Sequence, residues 1–259
     1  MFERLLPSIA LPALGATIIR HLRRTAGGER RCFNCAQVFY PEKSEGPGRY
    51  FCPVCASSLP RRKSGFCPLC GELYPWEHLP PAPCARCLRE PPPWQRLIFY
   101  GAHEDLLRKL LLDLKFREQV HLAVSLGKLL AAHPGLSGVT ADLVAPLPLH
   151  PRRLRQRGYN QALELARPLA AALNLPLLPD LLARGRETIP QTQLDRTVRE
   201  KNLKGVFVCA EKVQGLHILL VDDTMTTGAT MREAAQTLLC AGAASVSAAL
   251  VSRTPYRTC

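Results

Sequence analysis

The chain has 259 residues, 47% apolar and 6% aromatic, enough to bury one or two domain cores and too apolar for a disordered chain. Lys and Arg number 34 against 21 Asp and Glu, a formal charge of +13 that divides as +7 over the first hundred residues and +6 over the rest, so no basic tail carries it. Such a balance suits a phosphorylated or polyanionic partner. No apolar run reaches the roughly 18–20 residues of a membrane span, and the mostly apolar stretch from Leu5 to Ile19 is interrupted by Pro7, Ser8 and Pro12. Residues 1–31 read as a short, partly helical extension.

Eight of the eleven cysteines form four Cys-x-x-Cys pairs: Cys32 with Cys35, Cys52 with Cys55, Cys67 with Cys70, and Cys84 with Cys87. Two thiolates on a tight turn hold two corners of a tetrahedron, so repeated pairs of this kind read as zinc knuckles rather than disulfides or a redox dithiol. Sixteen residues separate the first two pairs and thirteen the last two. About two structural zinc ions are expected. Sequential pairing of the knuckles and interleaved pairing both remain open. Free thiolates imply a reducing compartment, hence a cytoplasmic location.

Residues 32–93 are rich in Cys, Pro and Gly and read as a double zinc ribbon, too short to be held by apolar burial alone. Pro91, Pro92 and Pro93 mark a stiff boundary, and residues 94–259 form the second domain. There the leucines at 106, 107, 110, 111 and 114 predict a helix over His103 to Arg117, and a second helix follows over Val120 to His133. Asp142 to Leu147 reads as a strand stopped by Pro148. Tyr159 to Leu173 is helical, with Pro168 inside, and Leu175 to Leu182 supplies a short strand. Gly185 to Lys204 reads as a long loop. Strands over Gly205 to Cys209, His217 to Asp222 and Ser245 to Ser252 alternate with a helix over Gly228 to Cys240. This alternation indicates an α/β domain with a mostly parallel sheet flanked by helices.

The stretch ILLVDDTMTTGAT, residues 218–230, carries the chemistry. An apolar strand ends in two acids, Asp222 and Asp223. A Thr-rich turn then enters a helix at Gly228. Ligands of open α/β sheets bind at the carboxyl ends of strands, and a turn entering a helix offers amides and hydroxyls to an anion. A ribose 5-phosphate wants both features: phosphate on the turn, hydroxyls on the acids. Upstream, Arg152, Arg153, Arg155 and Arg157 stand within six residues with no acid among them, a set suited to phosphate oxygens.

Residues 218–230 resemble the phosphoribosyl pyrophosphate (PRPP) signature of type I phosphoribosyltransferases. The resemblance implies that Asp222 and Asp223 hold the ribose as catalytic acids, directly or through magnesium and water. It places the 5-phosphate on Thr224, Thr226, Thr227, Gly228 and Thr230, and the pyrophosphate on a loop containing Arg152, Arg153, Arg155, Arg157 and Gly158. More narrowly, CPVC, CPLC, CARC, RRLRQRGYNQ, REKNLKGVF and VDDTMTTG resemble the ComF/GntX family, which joins zinc ribbons to a phosphoribosyltransferase-like domain and is associated with competence and the use of external DNA. By the same resemblance, Arg196, Arg199, Lys201 and Lys204 belong to a mobile loop that closes over PRPP.

Two functions follow from these readings. One is a phosphoribosyltransferase that binds PRPP or a related ribose phosphate with magnesium, its acceptor unknown. The alternative is a single-stranded DNA or nucleotide binding protein on a non-catalytic fold of the same kind, with DNA-uptake proteins as further partners. Lys115 reads as a cation complementing the end of its helix. Replacing Asp222 and Asp223 together by Asn is expected to leave the fold intact, because two adjacent like charges are removed.

Overall fold

The computed structural model describes residues 28–41, 46–185 and 205–255. They fall into two compact units, one ending at Ala56 and the other beginning at Ser57. The expected boundary at Pro91–Pro93 is therefore not where the units part.

In the first unit, β1 (Arg30–Arg31) pairs antiparallel with β2 (Val38–Phe39), so the end of the expected extension belongs to the first knuckle. The turn between them is closed by hydrogen bonds from the Cys32 amide to Gln37 O (2.9 Å) and from the Ala36 amide to Cys32 O (2.9 Å). Phe33 stacks edge-on against Phe51, with ring centroids 6.3 Å apart, and α1 (Pro53–Ser57) carries Cys55.

The second unit begins with the other two knuckles and α2 (Ala85–Arg89), then enters the α/β region. Four strands form one parallel sheet in the order β3, β8, β7, β4: β3 (Leu97–Ala102), β4 (Leu143–Pro146), β7 (His217–Met225) and β8 (Ser245–Arg253). Every residue of β8 is buried, as a central strand covered on both faces requires. The strand over Leu97–Ala102 is absent from the sequence expectation. Its six residues lack a period of two, because both faces are covered. The expected strand over Leu175 to Leu182 shrinks to a bridge between Leu177 and Val144, and β5 (Leu182–Arg184) pairs instead with β6 (Phe207–Cys209) as a small antiparallel ribbon.

The helices follow the leucine periodicity. α3 (Asp105–Phe116) buries Leu107, Leu110, Leu111 and Leu114, and α4 is His121–Ala131. α6 (Gln161–Leu173) starts where the Asn160 side chain accepts from the Ala162 amide at 3.0 Å, and it ends at Asn174 in the left-handed region. At Gly127 on α4, a Cβ would lie 2.5 Å from Pro168 Cγ and 2.6 Å from Leu165 O on α6, so only glycine permits this approach. α7 (Ala229–Cys240) follows the Thr-rich turn and buries Met231, Ala234, Ala235 and Leu238.

The arginine-rich stretch is expected as a loop but forms α5 (Pro151–Arg157). Pro151 sits in its first turn, the His150 ring accepts from the Arg152 amide, and Gly158 ends it with φ +81°. Proline at the start and glycine just past the end are ordinary helix punctuation, and the density of like charge obscured it.

Candidate functional site: an acid–threonine cavity and two four-cysteine clusters

The knuckles pair sequentially. The sulfurs of Cys32, Cys35, Cys52 and Cys55 lie within 4.8 Å of one another, as do those of Cys67, Cys70, Cys84 and Cys87. A tetrahedral zinc with Zn–S near 2.3 Å requires sulfur pairs about 3.8 Å apart. Cys35 to Cys52 is 3.7 Å and Cys70 to Cys84 is 3.8 Å. Both donor sets fit zinc. Nitrogen donors are aimed at the sulfurs as well: Asn34 Nδ2 lies 3.2 Å from Cys55 Sγ, and the Cys84 amide 3.3 Å from Cys67 Sγ. Hydrogen bonds of this kind support thiolate ligands. The Cys70 thiol, with the Cys84 amide, holds the Cys67 thiol down at about 4, against an ordinary value of 9.0.

A cavity of about 670 Å³ opens at the carboxyl end of β7 and the start of α7. Asp222 and Asp223 line it, followed by Thr224, Thr226, Thr227, Gly228 and Thr230. Gly228 has φ +81° and is the N-cap of α7; it carries no side chain to occupy the helix end, which therefore opens toward the cavity. Thr227 Oγ1 accepts from the Ala229 amide at 3.3 Å. Thr224 differs from the others. It is still on β7, and its hydroxyl lies 3.1 Å from Ser252 Oγ on β8.

The facing wall is α5. Arg152, Arg153 and Arg157 line the cavity, whereas Arg155 and Gly158 do not. The Arg157 guanidinium lies 5.3 Å above the Phe116 ring and donates to Gln161 Oε1. Arg184 on β5 adds a fourth guanidinium to the lining. Arg196, Arg199, Lys201 and Lys204 lie outside the described residues.

The acids are not equivalent. Asp223 is buried, its Oδ2 in an ion pair with the Lys115 ammonium, and its Oδ1 accepts from Gln161 Nε2 at 3.0 Å. Burial alone would raise the Asp223 pKa, but Lys115 outweighs it and holds the carboxyl below its usual range. Asp222 accepts from the Asp223 amide through Oδ1 at 2.8 Å. Its pKa is pushed well above the ordinary carboxylate value, first by burial and then by the charge of Asp223. The pair thus holds one fixed anion and one titratable acceptor.

Lys115 also lies 3.4 Å from Thr224 Oγ1. Its expected role as a helix-end cation is therefore incomplete, since its ammonium leaves the helix and neutralises the acid pair. Gln161 and Arg184 are further residues of the site that sequence reading did not assign. Gln161 stands within the quoted RGYNQ motif and Lys115 beside Phe116 in an apolar helix, so the types were visible but their partners were not. Polar links run from His103 Nδ1 to Ser252 (2.9 Å), then through Thr224, Lys115, Asp223 and Gln161 to Arg157, joining α3, β8, β7, α6 and α5 across the strand ends.

Among the described residues, no helix is long and apolar enough to cross a membrane. Comparison with known proteins matches residues 160–258, from the start of α6 onward, to the phosphoribosyl transferase domain. The chain is 39% identical over 208 residues to the DNA utilization protein YhgH of Salmonella typhimurium, covering 78% of this chain and 90% of that one. It is 30% identical over 210 residues to competence protein F of Haemophilus influenzae, covering 72% and 90%. A solved glutamine PRPP amidotransferase from B. subtilis, complexed with ADP and GMP, aligns with 50% of this chain and 26% of its own at 26% identity and a TM-score of 0.35. Relatives this similar over most of both chains fix the lineage that the knuckles and the acid–threonine turn already suggested, and the protein belongs to the ComF/GntX family of phosphoribosyltransferase-like proteins.

Proposed function

We propose that the cavity binds the ribose 5-phosphate part of PRPP and that the protein is a phosphoribosyltransferase. The observation that carries this reading is the junction of β7 and α7, where two acids and a glycine-capped helix start share one cavity with Arg152, Arg153, Arg157 and Arg184. The 5-phosphate sits on the Thr226–Thr230 turn, where hydroxyls and helix-start amides favour an anion. The ribose hydroxyls face Asp222, since both oxygens of Asp223 are engaged by Lys115 and Gln161. The arginines then hold the pyrophosphate end.

In the reaction, a lone pair on the acceptor forms a bond to the anomeric carbon while the carbon–oxygen bond to pyrophosphate breaks. Negative charge grows on the departing oxygens, against which Arg152, Arg153 and Arg157 are already placed. Magnesium typically takes one or two carboxylates together with phosphate oxygens and water, a demand that Asp222 and PRPP meet, and it would supply further neutralisation of the leaving group. The α5 helix and the turn also hold the two ends of the ligand, so the anomeric carbon is fixed between them.

The names of the relatives carry the reading further, toward DNA utilization and competence. Arg155 is exposed and does not line the cavity, a position suited to the phosphates of single-stranded DNA or to a DNA-uptake partner. The two thiolate clusters suit the reducing cytoplasm.

Calorimetry with PRPP, with and without magnesium, tests the assignment. Wild type is expected to bind, and Asp222→Asn to lose the magnesium-dependent part. Equal heats for the two proteins in both conditions overturn the role of Asp222. Absence of PRPP binding together with saturable binding of an oligonucleotide favours the DNA-binding alternative.

A further inference from the structure

The second four-cysteine cluster sits against the phosphate turn of its own unit. Two successive carbonyls of its knuckle, Leu69 and Cys70, are both used as acceptors by the α/β region. Trp94 Nε1 donates to Leu69 O at 2.6 Å, and Arg253 Nε donates to Cys70 O at 3.0 Å. Each donor reaches the turn by another route. Arg253, at the end of β8 and 5% exposed, donates Nη1 to Met225 O (3.0 Å), Thr226 O and Thr254 O (2.9 Å). Trp94, also 5% exposed, packs beneath Gly228: a Cβ on that glycine would lie 3.7 Å from the indole. The knuckle itself is seated on β3. Phe66 meets Phe99 edge-on with centroids 5.0 Å apart, and a Cβ on Gly71, whose φ is +68°, would come 2.9 Å from Leu97 Cδ2.

One guanidinium therefore bridges the backbone of a cluster residue, Cys70, and the carbonyls of Met225 and Thr226, where the phosphate turn begins. A buried arginine holding carbonyls on both sides fixes their separation, because its planar fork leaves little freedom once both edges are engaged. The position of the Cys70 carbonyl is in turn set by the Cys67–Cys70 turn, whose sulfurs share one metal site.

We propose that Arg253 is a positioning residue that ties the second four-cysteine cluster to the phosphate turn, so that metal held by Cys67, Cys70, Cys84 and Cys87 sets the affinity of the cavity for a sugar phosphate. The affinity part rests on the ribose-phosphate reading above; the tie itself rests on the hydrogen bonds of Arg253 and Trp94. The cluster is thus more than a staple of the chain, and its loss is felt at the ligand site.

The experiment is a cycle on the full-length protein with ribose 5-phosphate as the titrant. It compares wild type, Arg253→Met, the pair Cys84→Ser with Cys87→Ser, and the combination, with metal content measured for each. Arg253→Met and the cysteine pair are each expected to weaken binding about tenfold, as loss of charge-assisted hydrogen bonds that order a site would do. The combination is expected to be no weaker than either alone, because both break one connection. Arg253→Lys keeps the charge but cannot donate to both sides, so it is expected to bind as weakly as Arg253→Met. Full affinity in Arg253→Lys, or additive losses in the combination, overturns the proposal.

Hydrogen exchange supplies a readout independent of ligand. In Arg253→Met, exchange at Met225–Thr230 is expected to quicken while Ile218–Val221 in the same strand stays protected. Unchanged exchange at the turn overturns the tie, and this comparison decides the matter if the cysteine variant does not fold. If wild type gives no heat with ribose 5-phosphate, the sugar-phosphate reading fails on its own. Exchange at the turn on zinc removal, in wild type against Arg253→Met, then decides the tie.

Discussion

The two four-cysteine clusters use the same ligand pattern, yet they are supported in opposite ways. The first lies in a unit whose strands are two residues long and whose packing centres on Phe33, Tyr50 and Phe51. Among its described residues few large apolar side chains are buried, so metal is expected to carry that fold. The second is seated on β3 and linked to the ends of β7 and β8 through Trp94 and Arg253. There the sheet holds the cluster as much as metal does. Identical Cys-x-x-Cys spacing thus serves as the main staple of the described residues in one place and as part of a larger framework in the other.

Metal removal is the strongest way to separate the two. Zinc binding in such clusters is worth on the order of 10–16 kcal/mol, more than a small unit has in reserve. With a strong chelator, the amides of residues 30–55 are expected to lose all exchange protection. Those of β7 and β8 should retain it, with intermediate loss around Phe66–Gly71. Uniform loss across both clusters would mean that the sheet does not support the second.

Asp223→Asn attacks only the α/β unit. It leaves the largely buried Lys115 ammonium without its charge partner, which costs about 3–5 kcal/mol. The sequence-based expectation that both acids can be replaced without harm to the fold counted the repulsion between the acids; the Lys115 cation on α3, paired with Asp223, weighs against it. Asp222→Asn, by contrast, should be neutral or stabilising. Thermal melts of the two single variants test the asymmetry, and Lys115→Met added to Asp223→Asn is expected to recover much of the loss. Zinc content should be unaltered in all three.

Gly127→Ala has a smaller effect, again confined to the second unit. Its Cβ meets Pro168 and Leu165 O at 2.5 and 2.6 Å, so α4 and α6 must separate, at about 1–3 kcal/mol. A lowered denaturant midpoint with unchanged metal content is the expected result.

Acidification gives the smallest and most selective contrast. Asp222 has a raised folded pKa, so the folded unit binds a proton more readily than the unfolded chain, and its stability contribution grows as pH falls through that raised value and on toward the ordinary carboxylate range. Asp223 has a lowered pKa, so the stability it lends is present above the ordinary carboxylate range and is lost only when pH falls through its depressed value. Metal-bound thiolates respond in the other direction from Asp222, since protons compete with zinc. Between about pH 7 and pH 5 Asp222 therefore adds stability to the α/β unit, while His133, held at about 4 by burial, and His103, also lowered by burial, take stability away as the imidazoles of the unfolded chain protonate, so exchange in the α/β unit should change less than exchange in the first unit, which quickens. Parallel quickening in both units would show that Asp222 is not the governing acid.

How much of this was legible in the sequence depended on how far apart the partners lie. The knuckles, the leucine-spaced helices and the order of strand, acid pair, threonine turn and helix each sit within a short stretch, and local period or ligand spacing specified them. The strand over Leu97–Ala102 escaped because a strand buried on both faces loses its alternation, and α5 escaped because its arginines masked its proline and glycine punctuation. The remaining features were decided by the tertiary structure alone. Lys115 meets Thr224 across 109 positions of sequence, and Arg253 reaches Cys70 across 183. Residue type announced a cation in each case. Which charge it would neutralise, and which carbonyls it would join, became fixed only when the parallel sheet brought the ends of β7 and β8 together and set α3 and the second knuckle within reach of them.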